Sequence, residues 1–248
     1  MSGITHVDRG GTGRDLVVLL HGLAATGAVW HRVASRVAQQ GRRWVAPDLR
    51  GHGGSVSEGP FWIGQHAADI AALIADEDRA HVHLLGHSFG GALAAMLGSG
   101  LFGPPPARVV ALGVKTDWPE ADVAFSHALA AKPARRFVTR GEAEERYLKA
   151  AGLHGLVGAD APEAARGVRT VWDAWETTIA PGVFACAGPS TEDILRAVRC
   201  PLRLATGTED PMTNAATLRA IDPGTVFLPR LPHNAHVVAP DSVAALLE

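Results

Sequence analysis

Ser88 is the residue with the clearest chemical context in this chain. It stands in Gly86-His87-Ser88-Phe89-Gly90-Gly91, just after the apolar run Val82-His83-Leu84-Leu85 and at the start of a helical pattern. A serine between a strand and a helix, flanked by glycines, fits a sharp turn that lifts the hydroxyl clear of a sheet. A serine hydroxyl is a weak nucleophile without a base, and the base needs an orienting carboxylate. The carboxylate is sought after a later strand, in Ala205-Thr206-Gly207-Thr208-Glu209-Asp210-Pro211. Asp210 is the first candidate there; Glu209 and Asp117 are alternatives, and Asp210 also suits a turn or helix cap. Two histidines, His233 and His236, follow the last apolar run and both suit the position of a base. His21-Gly22-Leu23 ends the first strong apolar run. The Leu23 N–H there is the expected partner of the Phe89 N–H in an oxyanion hole.

Elements must bring these residues together. The runs at 16–20, 44–46, 82–85, 108–112, 202–205 and 225–228 have strand length and end at turn residues. Near-continuous apolar strands imply a sheet covered on both faces, hence parallel. Helical patterns lie at 29–40, 61–76, 89–100 and 239–247. Strands alternating with helices predict an α/β doubly wound sheet. The alternation stops between Lys115 and Arg199, where helices are expected near 119–131, 141–151, 162–176 and 190–198 and no strand pattern is read. The division expected is therefore a core of 1–114 and 200–248 with a helical cap over 115–199.

Composition narrows the class. The chain has 248 residues, 47% of them apolar and 19% charged, with a net charge of −2. That is globular composition, with no electrostatic reason to expect nucleic acid or an anionic membrane as partner. No apolar run approaches the ~20 residues that span a bilayer, and no secretory leader is read at the start. A cytoplasmic protein is expected. Cys186 and Cys200 are too few for a disulfide scaffold and read as small buried residues. The number of subunits is left open.

Taken in order, these motifs resemble the α/β-hydrolase superfamily across nearly the whole chain. His21-Gly22 resembles its oxyanion-loop HG. Asp48-Leu49-Arg50-Gly51-His52-Gly53-Gly54-Ser55 resembles its D-x-R-G-x-G-x-S segment, which shapes a loop and is given no catalytic step. Gly86–Gly90 resembles G-x-S-x-G, and Gly207-x-x-Asp210 resembles the acid turn. The family commonly carries a proline seven residues after the catalytic histidine. Pro240 stands in that relation to His233, so the resemblance favours His233 over His236. Arg230 and Pro232 replace the glycines usual before that histidine.

The resemblance implies an α/β-hydrolase fold and acyl transfer by Ser88, His233 and Asp210 with no cofactor or metal. The lead expectation is a serine hydrolase, esterase-like, that cleaves a carboxylic ester of a small or medium, partly apolar molecule. Trp118, Phe125, Trp172, Trp175 and Phe184 are the aromatic residues expected to line its pocket, with ordinary cap packing as the alternative. Lys115 and Asp117 flank the entry to the cap. The same triad also serves C–C bond, lactone and thioester hydrolysis, and the fold does not choose among them. A small-molecule-binding protein with little turnover, or a scaffolding subunit, are the readings from other classes. Serine at the elbow argues against the relatives that use aspartate there, the epoxide hydrolases and haloalkane dehalogenases.

Overall fold

The computed structural model describes residues 3–186 and 190–248. Its strands are β1 (Val7–Gly10), β2 (Leu16–Leu20), β3 (Arg43–Pro47), β4 (Val82–His87), β5 (Arg108–Leu112), β6 (Arg136–Phe137), β7 (Val168–Val171), β8 (Ala174–Thr177), β9 (Leu202–Gly207) and β10 (Val226–Leu228). Its α-helices are α1 (His31–Gln39), α2 (Ile63–Leu73), α3 (Phe89–Gly98), α4 (Glu120–Ala130), α5 (Arg140–Ala150), α6 (Pro162–Arg166), α7 (Thr191–Arg196), α8 (Ala215–Ile221), α9 (Ala235–Val238) and α10 (Pro240–Ala244).

The main sheet has seven strands in the order β1-β3-β2-β4-β5-β9-β10. All its pairs are parallel except β1 with β3. Strand β1 was not expected, because Val-Asp-Arg-Gly has no apolar run to mark it. It lies at the edge, paired on one side only, and none of its residues is fully buried. Side chains alternate along the inner strands and both faces are buried. Val17 and Leu19 pack with Trp30, Val33 and Val37, while Leu16, Val18 and Leu20 pack with Ile70, Leu93 and Leu97. Each such side chain, fully removed from water, contributes about 1.5–3 kcal/mol. After β2 the chain crosses to β3 on one side and reaches β4 on the other. The carboxyl ends of β2 and β4, paired at Leu20 and Gly86, therefore border the crevice where an open α/β sheet offers a site.

The segment 115–199 is not all helix. It carries a second, antiparallel sheet of three strands, ordered β6-β8-β7. The expected helix over 162–176 is a single short helix, α6, followed by the β7–β8 hairpin. The β-branched Val168, Thr170 and Val171 explain the change: they are stiff at χ1 and suit a pleated ribbon. The hairpin closes on Trp172-Asp173, with Trp172 at φ 57°. At the end of the segment α7 packs on α3 and α8, against the main sheet's helical layer.

Candidate active site

Strand β4 runs into α3 with Ser88 as the turning residue. Its backbone sits at φ 53°, ψ −116°, a conformation that a side chain rarely adopts and that costs on the order of 1–3 kcal/mol. Its N–H donates to the carbonyl of Leu112 on β5 at 2.8 Å, and its carbonyl accepts from Gly91 N at 2.9 Å. The turn is possible because the helix starts against the end of β2. A Cβ at Gly90 would overlap the carbonyl oxygen of Leu20.

Asp210 and His233 meet after β9 and β10. The His233 Nδ1–H donates to Asp210 Oδ2 at 2.9 Å. The Asp210 carboxylate is fully buried and His233 is 22% exposed. Asp210 is fixed from other directions: Oδ1 accepts from Met212 N at 2.8 Å, and Oδ2 accepts from Thr206 Oγ1 at 3.2 Å. A ring held this way carries its proton on Nδ1 and leaves Nε2 as the basic atom. The alternatives lie elsewhere. Glu209 is exposed, and Asp117, also exposed, accepts from Asn214 Nδ2 at 2.8 Å.

His236 is buried behind this pair. Its ring lies 4.5 Å from Trp30 and 4.3 Å from His87. Neither of its ring nitrogens has a hydrogen-bond partner among the described residues, and burial pushes its pKa down to about 3. His87, which the sequence reading passed over, joins the two segments. Its Nε2 donates to the carbonyl of His233 at 2.9 Å, and the rings are 4.5 Å apart. Burial holds the His87 pKa well below its ordinary value. The signal was its position beside Ser88, but nothing local says which partner it would find.

The loop after β2 closes on the serine. Gly22 passes so near that a Cβ there would lie 2.9 Å from His87 Nδ1 and 3.4 Å from Ser88 Cβ. The Leu23 N–H has no partner among the described residues. Phe89 is the first residue of α3, a position whose N–H has no acceptor within its helix. Two buried histidines hold this loop. His21 Nε2 accepts from Leu49 N at 2.9 Å, and His52 Nε2 accepts from Ala24 N at 3.2 Å. Their Nδ1 atoms lie 2.8 Å from Gly22 O and 3.0 Å from Arg50 O, as donors. Burial lowers their pKa values to about 4 and about 3, so both stay neutral and keep an acceptor nitrogen. Asp48 ties the same region together, accepting from Gly27 N at 2.8 Å and Gly54 N at 2.9 Å. The Asp48–Ser55 segment is thus a scaffold for the loop.

A pocket of about 500 Å³ opens at Ser88 and Phe89. Leu23, Ile63, Val114, Trp118 and Met212 give it apolar walls, and Lys115 is its one lysine or arginine. Lys115 lies 4.6 Å from the Trp118 ring centre and is ion-paired with Asp122. Of the aromatic residues expected here, only Trp118 lines this pocket; its Nε1 donates to Thr191 Oγ1 at 3.2 Å. The others lie outside its lining. Phe125 on α4 is 65% exposed and Trp172 is 87% exposed at the hairpin turn. Trp175 lies on β8 beneath the Arg140 guanidinium, 5.7 Å away. Phe184 lines a separate groove. A helix over 162–176 would have set Trp172 and Trp175 on one face; a hairpin divides them. Cys186 is a buried thiol on the pocket wall whose pKa burial raises to about 12. Among the described residues no group of histidines, cysteines and carboxylates is arranged to hold a metal ion.

This fold and crevice define a class, and the sequence matches it. Residues 17–246 match the profile of the Alpha/beta hydrolase family, and the chain belongs to that family. Lipase LipV of Mycobacterium tuberculosis is 39% identical over 93 residues, 37% of this chain and 35% of the lipase. The pimeloyl-[acyl-carrier protein] methyl ester esterase of Aeromonas hydrophila is 39% identical over 93 residues, 37% of this chain and 34% of the esterase. These matches span about a third of the length of either relative. Among solved structures, the thioesterase domain from the curacin biosynthetic pathway has a TM-score of 0.79 at 19% identity, covering 98% of this chain and 94% of that one. E-2-(acetamidomethylene)succinate hydrolase has a TM-score of 0.78 at 23% identity, covering 97% and 92%. At those identities the likeness is one of fold.

Proposed function

We propose that this hydrolase cleaves a carboxylic ester of a small or medium, partly apolar molecule through an acyl-enzyme on Ser88. The observation that carries the reading is the junction at the sheet's carboxyl end. A serine held in a strained turn directly follows His87, whose ring lies 4.5 Å from that of His233, and His233 has its Nδ1 committed to a buried aspartate. The Ser88 hydroxyl attacks the ester carbonyl as His233 Nε2 takes its proton. Asp210 keeps the ring in the tautomer that has a basic Nε2 and stabilises the imidazolium. The Leu23 and Phe89 N–H groups receive the developing oxyanion, a contribution of about 2.7–4 kcal/mol per donor where one has been removed from such a site. His233 then protonates the alcohol as it leaves. A water activated by the same nitrogen releases the acid and restores Ser88.

The pocket walls support an apolar acyl or alcohol group, since Leu23, Ile63, Val114, Trp118 and Met212 offer contact area and few polar partners. The lipase and the methyl ester esterase among the relatives bear names of ester hydrolases, which favours the ester reading over C–C bond or lactone cleavage. No helix among the described residues is long and apolar enough to cross a membrane. A p-nitrophenyl ester series from acetate to decanoate tests the proposal with the wild type and Ser88→Ala. Turnover is expected in the wild type, with an optimum at short or medium chains, and its loss in the variant. A fluorophosphonate should label the wild type and leave Ser88→Ala unlabelled. A folded wild type that neither turns over the esters nor takes the label would overturn the assignment.

A further inference from the structure

A second concavity lies on the cap, apart from the pocket at Ser88. It has about 930 Å³ of open space. Leu129, Phe137 and Phe184 line it with apolar surface, and three cations, Lys132, Arg135 and Arg146, line it as well. It shares no lining residue with the catalytic pocket. The turn Pro181–Cys186 borders both, and α4 packs against that turn. Cys186 faces the catalytic pocket and Phe184 the groove.

Charge pairing separates these cations from their neighbours. Elsewhere in the cap Arg136 and Arg169 share Glu176, Arg140 pairs with Glu144, and Lys149 pairs with Glu145. Lys132, Arg135 and Arg146 form no ion pair within 4 Å among the described residues, although the charge of Arg135 acts on nearby Glu142, and no acid lines the groove itself. Arg135 instead lies over the Phe137 ring, 5.0 Å from its centre. Three exposed like charges lining one groove give it a positive local potential, which an anionic group would meet favourably. The whole chain has a net charge of −2, so this positive face is local.

We propose that the groove binds a phosphate-headed amphiphile, with the phosphate among Lys132, Arg135 and Arg146 and the alkyl body on Leu129, Phe137 and Phe184. A phosphate monoester carries close to two negative charges and three strong acceptor oxygens, enough to engage several cations at once. The two guanidiniums present forked donors suited to such a group. A single carboxylate has less charge and fewer acceptors to share among three cations. The apolar lining distinguishes the ligand from free phosphate by the burial of its chain.

Calorimetric titration with decyl phosphate below its micelle concentration tests the site directly and needs no turnover, so it stands apart from the role of Ser88. The wild type should bind decyl phosphate at least about tenfold tighter than decanol and several-fold tighter than decanoate, and should show no heat with inorganic phosphate at millimolar concentration. Arg135→Gln/Arg146→Gln should lose the preference over decanol, and Lys132→Gln should weaken it about threefold; circular dichroism checks that each variant is folded. Lys115→Gln should keep the preference, because its charge lies in the other pocket. Equal affinity for decyl phosphate and decanol would overturn the proposal. So would a preference that survives in Arg135→Gln/Arg146→Gln or disappears in Lys115→Gln, which would place the anion beside Ser88. Decanoate binding as tightly as decyl phosphate would overturn the phosphate head group.

Discussion

The His87 ring is buried, and its Nε2 donates to the carbonyl oxygen of His233 at 2.9 Å. It does not line the pocket at Ser88, so any effect on turnover runs through the placement of His233. His87→Ala removes that bond and the ring packed between His233 and His236. On a p-nitrophenyl ester kcat should fall about tenfold or more, with KM changed less than about twofold, as expected when a catalytic group is displaced and substrate contacts are kept. Equal losses in kcat and thermal stability across several substitutions would instead mark His87 as packing alone. Asp210→Asn acts more directly. It keeps the shape but removes the acceptor that fixes the His233 tautomer, and kcat should fall by about 10⁴-fold with the fold intact. Ser88, Asp210 and His233 could be nominated from sequence because each follows a recognisable run and turn. His87 and His236 could not be sorted, since their partners come from distant segments.

At the scale of elements, the strand-to-helix junction depends on the absence of a side chain. Gly90→Ala would drive a Cβ into the Leu20 carbonyl oxygen, where backbone rather than a flexible side chain must yield. The expected cost is about 3 kcal/mol or more, read as a fall in thermal midpoint together with loss of ester hydrolysis. The β7–β8 hairpin gives the opposite expectation. Trp172 is 87% exposed and sits at φ 57°, a region glycine occupies without strain. Trp172→Gly should leave kcat and KM unchanged and leave the thermal midpoint equal or higher, because it relieves a strain of about 1 kcal/mol and removes no buried contact. A large loss of activity in that variant would return Trp172 to the site. The hairpin itself was hard to read from sequence. Its strands are short and half-exposed, and α6 just before them does follow a helical pattern.

For the molecule as a whole, the buried histidines make acid the chief threat. His21 has its pKa pushed down to about 4, and His52, His66 and His236 to about 3, in each case chiefly by burial. In the unfolded chain the same groups take up protons from about pH 6.5 downward. Between pH 6.5 and these lowered values the unfolded state holds more protons, so stability falls as pH falls. Each group contributes a slope of about 1.4 kcal/mol per pH unit in that window. Acting together they should exhaust the ~5–15 kcal/mol typical of a domain near about pH 5. A series of thermal melts from pH 8 to 4 should show a flat midpoint above about pH 7 and a steep decline below pH 6. His52→Gln, which retains a polar side chain without the titration, should shallow the decline. A midpoint that stays level down to pH 4 would contradict the account.

Sequence by itself determined six of the main sheet's seven strands, their parallel character and the residues at their carboxyl ends. Those features are local: Leu16–Leu20, Val82–Leu85 and Arg108–Leu112 each carry strand, length and turn within a few neighbours, and a sheet covered on both faces demands that pattern. The same locality put Ser88 on its turn and Asp210 and His233 in the loops beyond later strands. Tertiary structure alone decided what those loops bring together. It chose the carboxylate that meets His233, buried His236 behind it, and tied His87 to the backbone between them. It also set Phe184 and Trp172 outside the lining of the pocket at Ser88 and placed three cations around a partly apolar groove lined from α4, α5 and β6. Such choices rest on contacts between segments far apart in the chain, where burial and charge depend on every neighbouring element and no sequence window contains them all.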